Sequence, residues 1–215
     1  MPIPVAGAVG PQTLSDGAQA LPRQGRSAEQ IVTELHGKYY ESNYRGNIFW
    51  ATMTAGVIFP APAATANNPM TLANPAGSGK NLVLVSFDMV FTTLPGTPLT
   101  GLYGLYVNTN TVAAAATGTA IVPIPGFVGT STSPVAKPLS TSTVPAAPTL
   151  LVPFGQKVTG EVAAAAPMTP YPGIHLDFDG RIIIGQGAAI TPQMTAADTT
   201  NATVLCSFCW EEVLP

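Results

Sequence analysis

From Asn47 onward the chain is a succession of short apolar and β-branched runs cut by Pro, Gly, Asn and Thr clusters. No helical period survives over a window of about 11 residues. A chain punctuated this way satisfies its backbone by pairing strands rather than by coiling. Strands are expected over 47–59, 81–92, 100–107, 119–124, 149–153, 157–163, 173–178, 181–185, 187–194 and 202–213. Closely spaced strands with turn signals and no intervening helices specify an all-β jelly-roll or β-sandwich body over an α/β fold. At 215 residues a single domain of this class has a sizeable core available.

Composition narrows the function. Charged residues make up 9% of the chain against a typical value of about 25%, with 8 basic and 11 acidic side chains and a net charge of −3. This excludes disorder, which needs low hydrophobicity and high net charge, and it discounts nucleic acid as a direct partner, since few phosphates would be neutralised. Mean hydropathy is +0.30. Even so, Gly, Pro, Thr or Asn interrupts every apolar window long enough to span a bilayer, and 1–10 has no Lys or Arg, so neither a signal peptide nor a membrane partner is expected. A surface with so few charges is poorly protected against association, and contact between subunits is the expected home for the apolar excess.

The charges are uneven. Arg23, Arg26, Glu29, Glu34, Lys38, Glu41 and Arg45 are seven of the 19. Ser27-Ala-Glu-Gln30 reads as a capping box opening a short helix over 27–36, preceded by a Pro- and Gly-broken extended arm. The expected organisation is therefore an arm and short helix over 1–46 and a β-sandwich over 47–215. Within the body, 108–148 is rich in Ala, Thr, Ser, Pro and Gly with one charge, Lys137, and is expected to form long loops around a single short strand.

Several motifs have chemical spacing. Asn74-Pro-Ala-Gly-Ser-Gly-Lys80-Asn81 looks like a phosphate-binding loop, but Asn74 and Asn81 stand where that loop needs Gly and Ser or Thr, and a strand follows instead of a helix; a turn is expected. Cys206 and Cys209 have redox or zinc spacing, yet on a strand they point to opposite faces, and the two histidines, His36 and His175, supply no matching pair; buried free thiols are expected. His175, Asp177 and Asp179 share one strand face. Those residue types suit a divalent cation or acid–base work, and equally a solvated face ending in an Asp179-Gly180 hairpin turn. Asp177 and Asp179 cannot flank a substrate as paired glycosidase carboxylates do. No Ser stands in a Gly-x-Ser-x-Gly elbow. Trp50, Tyr103, Tyr106 and Tyr171 form either a sugar-stacking surface or core packing. The expectation is a non-enzyme with no catalytic residues, cofactor or metal.

Three segments carry a family resemblance: 26–40 leading to Arg45-Gly-Asn-Ile-Phe49, then 74–84, and the terminal Trp210-Glu-Glu-Val213. Together they resemble structural proteins of tailed bacteriophages. Asp179-Gly-Arg-Ile-Ile-Ile-Gly185 with the Trp-Glu-Glu ending looks like the last strands of a jelly-roll decoration or cement protein. The resemblance implies a homotrimer on the outer capsid surface of the virion, with the major capsid protein as partner. Arg23, Arg26, Lys38 and Arg45 are then the expected docking cations, suited to shell carboxylates; a solvated helix face is the other reading. A tail or vertex attachment module touching a host glycan or protein through 108–148 is the alternative.

Overall fold

A computed structural model describes residues 37–64, 67–93, 101–109, 116–155, 173–195 and 203–215. The expected arm, the helix over 27–36 and the strand over 157–163 lie outside these residues. Contacts divide the chain into a unit Met1–Glu41, of which 37–41 are described, and a unit Ser42–Pro215.

Among the described residues a five-residue helix, α1 (Tyr40–Tyr44), precedes thirteen strands: β1 (Ile48–Thr52), β2 (Val57–Ile58), β3 (Asn68–Ala73), β4 (Asn81–Thr93), β5 (Tyr103–Asn108), β6 (Thr117–Ala120), β7 (Ile124–Pro125), β8 (Lys137–Thr143), β9 (Thr149–Gly155), β10 (Ile174–Asp177), β11 (Ile183–Ile184), β12 (Ala189–Met194) and β13 (Thr203–Val213). The helix stops at a left-handed Gly46 (φ 72°), where the Gly46 amide donates to Asn43 O and the Asn47 amide to Ser42 O. That pair of bonds satisfies the last carbonyls and turns the chain into β1.

Two antiparallel sheets run β10-β4-β13-β1-β7 and β6-β8-β3-β12-β5-β9, with β11 beside β4 and β2 beside β13. Eight of the strands carry the topology. In chain order β1 pairs with β13, β3 with β12, β4 with β10 and β5 with β9, first with last and so inward. This is a long hairpin rolled into two four-stranded layers, the jelly roll.

Corrections to the expected elements have local causes. The run 47–59 is two strands, because at Met53 the chain leaves the sheet after one last bond to Cys206 O. The strand β3 falls outside the expected strands: Asn, Pro and Ala are weak strand formers, but every residue of β3 is buried, and packing overrides propensity. The stretch 108–148 holds β6, β7 and β8 instead of one short strand. Asp179 and Gly180 have the positive φ values of a tight turn, 48° and 77°, yet they close no hairpin. Instead β10 and β11 both run antiparallel to β4, so the turn is an excursion within one edge strand.

The core lies between the sheets. On β13, Val204, Cys206, Phe208 and Trp210 alternate inward, as period two requires. Aromatic contacts run through it: Phe208 meets its cross-strand neighbour Phe87 at 5.0 Å, Phe87 meets Phe154 on β9 of the other sheet at 5.3 Å, and Tyr103 meets Phe59 at 5.0 Å. Phe208 is fully buried at the centre of this chain. Truncating it leaves a cavity among rings that cannot all collapse. Phe208→Ala is expected to destabilise the body by about 3–5 kcal/mol, read as a lower urea midpoint at unchanged m-value.

Candidate docking surface

The expected docking cations are not gathered into one described cluster. Arg23 and Arg26 lie outside the described residues. Lys38 is exposed in the first unit, its ammonium 5.0 Å from the Tyr39 ring centre, a cation–π contact with its own neighbour. Arg45 is exposed in the second unit, immediately after α1.

A different surface is built by the chain between β5 and β9. This insertion crosses to the far edges of both sheets: β7 adds to β1, β8 adds to β3, and β6 adds to β8. It thus forms a side wall of the sandwich. The Gly126 amide bonds to Ile48 O at 2.8 Å, and a side chain at Gly126 would overlap Asn43, so glycine permits this close seating. Tyr44 stacks on Phe127 with ring centres 6.0 Å apart. Trp50 stands directly opposite Ile124, and both are exposed. Val122 and Val128 are about as exposed as side chains become, at 82% and 79%. Between Asp88 and Lys137 the sequence contains no Asp, Glu, Lys, Arg or His, so β6, β7 and the connection between them bear no charge, and the wall's strands carry a single one, Lys137 at the start of β8. Sequence reading recognised the scarcity of charge in 108–148 but assigned it to loops.

One carboxylate ties the wall to the core. Glu212 shares its strand face with Trp210 and is buried. Its Oε1 accepts the amides of Val135 and Ala136 at 2.8 and 3.0 Å, and its Oε2 accepts Lys80 Nζ at 3.0 Å. The charge is thus paired and saturated, the condition under which burial is tolerated. This clamp was missed, although it had a signal: period two places Glu212 on the same inward column as Val204, Cys206, Phe208 and Trp210, the one charge in it. Lys80 belongs to the loop that imitates a phosphate-binding motif. That loop is a turn, with left-handed Gly77 and Gly79, and Asn74 Nδ2 donating to the carbonyls of Lys80 and Ile184 at 2.9 Å each.

The other constellations resolve separately. His175 and Asp177 are exposed on β10, as expected of one face. His175 Nδ1 lies 2.6 Å from Asp88 Oδ1 on the facing strand, and Asp177 Oδ1 accepts the Asp179 amide. The carboxylates therefore serve the neighbouring strand and the turn, and Arg181 wraps that turn through the carbonyls of Phe178 and Asp177. Among the described residues no three His, Cys, Asp or Glu side chains are placed to hold a metal ion. Cys206 and Cys209 are free and buried. Burial raises both thiol pKa values, that of Cys209 to about 12, the reverse of what a reactive cysteine needs. Of the four aromatics proposed for stacking, Tyr103 and Tyr106 are buried, Trp50 is exposed, and Tyr171 is outside the described residues. No sugar platform forms among those described.

Compared by sequence and by structure, the chain is matched by no family model, no curated protein and no solved structure.

Two outcomes follow from these contacts. Removing the Glu212 carboxylate strands two amides and an ammonium, so Glu212→Ala is expected to cost on the order of 3 kcal/mol in urea unfolding, with Glu212→Gln milder because one acceptor oxygen remains. Asp88 raises the His175 pKa above its usual 6.5, first through the hydrogen bond and then through its charge. The folded-state value is the higher one, so the pair's stabilisation is complete below pH 6.5 and fades as pH rises through the raised value. An NMR titration should place the His175 midpoint above 6.5, and Asp88→Asn should bring it down.

Proposed function

We propose that this chain is a structural protein of a tailed-bacteriophage virion: a jelly-roll decoration or cement protein that trimerises and braces the major capsid shell from outside. The observation that carries this reading is the side wall, an exposed apolar surface whose strands carry one charge, Lys137, on a body whose two described thiols are buried and whose Glu212 carboxylate is taken up by Lys80 and two amides. Such a surface is suited to permanent contact with protein. The resemblance of 26–49, 74–84 and 179–213 to phage structural proteins supports the same setting.

In this mechanism each trimer grips the shell at several points through Arg23, Arg26, Lys38 and Arg45. Weak single contacts add through effective concentration, so modest affinity per copy becomes firm retention. The competing reading is a tail or vertex module that touches a host glycan or protein through 108–148; the burial of Tyr103 and Tyr106 removes two of the aromatics that a sugar-stacking surface would use.

Quantitative mass spectrometry of purified virions decides between them. Copies near parity with the most abundant shell protein are expected for a decoration role; a few copies per particle would assign the chain to the tail or a vertex, and absence would remove the virion reading. Reversing the charge at Arg23, Arg26, Lys38 and Arg45 together is expected to weaken capsid binding while leaving the oligomer intact.

A further inference from the structure

We infer that the side wall built by the β5–β9 insertion packs against other copies of this chain, the walls converging about the rotation axis of the oligomer. The inference deepens the proposed function, which calls for self-association but names no surface, and it rests on that reading for its biological setting alone.

Three observations point to a second copy. The first concerns charge. About a rotation axis the same residues of each copy converge, so any charge there faces its own image and repels it. From Met89 to Ala136 the chain has no Asp, Glu, Lys, Arg or His, which leaves β6, β7 and the connection between them free of charge; Lys137 comes only at the start of β8, and Arg45 follows Tyr44. A surface evolved for a charged partner would instead present the complementary sign.

The second concerns edges. In β6 all four residues, Thr117-Gly-Thr-Ala120, are exposed, and β6 ends one sheet as β7 ends the main path of the other. Open edges are ordinarily blunted by Lys, Pro or inward charge. β6 has none of these, which leaves it unprotected in a monomer and suitable at a permanent contact.

The third concerns side chains. Trp50 and Ile124 lie side by side, and Val122 and Val128 stand almost wholly in solvent. Aromatic and aliphatic groups of this kind form the buried centre of homomeric interfaces. They sit on a support held by Glu212 and Gly126, so little order has to be gained on association.

The test uses the full chain, sedimented over a concentration series. Wild type should be oligomeric. The double variant Val122→Asp, Val128→Asp should dissociate, with Kd raised on the order of a hundredfold by unpaired charge forced into an apolar contact. Leu151→Asp introduces the same charge on β9 at the opposite end of the six-stranded sheet and should leave the oligomer intact. Near-UV circular dichroism checks the fold of each variant. Independently of any loss of folding, Val128→Cys should cross-link copies with a short bis-maleimide, and Leu151→Cys should not. A monomeric wild type overturns the inference, as does a wall variant that stays associated, a Leu151→Asp variant that dissociates equally, or failure of the Val128→Cys link. A monomer whose wall variant also loses capsid binding would assign the wall to the shell protein. The virion copy number is measured separately, so a failed wall and a failed decoration role give different results.

Discussion

The antiparallel pairing of β4 with β13 is the interaction on which the other strands depend. All eleven residues of β13 find partners on β4, and the pair sits at the middle of the seven-stranded sheet with β1 and β2 added on one side and β10 and β11 on the other. Val204, Cys206, Phe208 and Trp210 of β13 belong to the core cluster, and Phe87 on β4 meets Phe154 of the second sheet, so the pair supplies both ladder and packing. A register shift between Cys209 and Trp210 leaves Val85 over. Its carbonyl accepts the Phe178 amide at 2.8 Å, which fixes the point where the edge strand departs into the Asp179-Gly180 excursion. A local irregularity in the central pair thereby sets the shape of the edge.

The same strand governs the outer surface through its last turn of sequence. Glu212 reaches from the core column to the amides of Val135 and Ala136, where the insertion returns toward β8. Backbone amides at the start of a strand would otherwise need water or a ladder partner. The carboxylate replaces both and is itself neutralised by Lys80. An apolar wall with a single charge in its strands is thus anchored by one of the chain's few charges, itself buried.

Much of this was readable beforehand. Alternation in 202–213 and the dense turn signals gave the all-β class, and β4, β5, β9, β12 and β13 fall close to their expected ranges. The thiols of Cys206 and Cys209 and the turn at 74–80 came out as their residue types imply. The misses share a cause. β3 and β8 mix a few apolar residues with Asn, Pro, Ala and Ser, which are no strand formers, and they become strands through pairing with each other and, in β3, through complete burial. The hairpin expected at Asp179-Gly180 failed because turn chemistry specifies a reversal of φ, not which strand lies beside the flanking residues.

Sequence by itself determined the period of each run, the positions where the chain must turn, the shortage of charge and therefore the need to bury apolar surface against something. Only the tertiary structure decided that the weakly patterned insertion adds strands beside β1 and β3, and that Glu212 bonds the amides of Val135 and Ala136 within it. Local pattern fixes which face of a strand is apolar, because side chains alternate. It cannot fix which distant strand comes to lie alongside, because that is settled by packing and hydrogen bonds between segments 60 or more residues apart, as in the Lys80–Glu212 and Val135–Glu212 contacts.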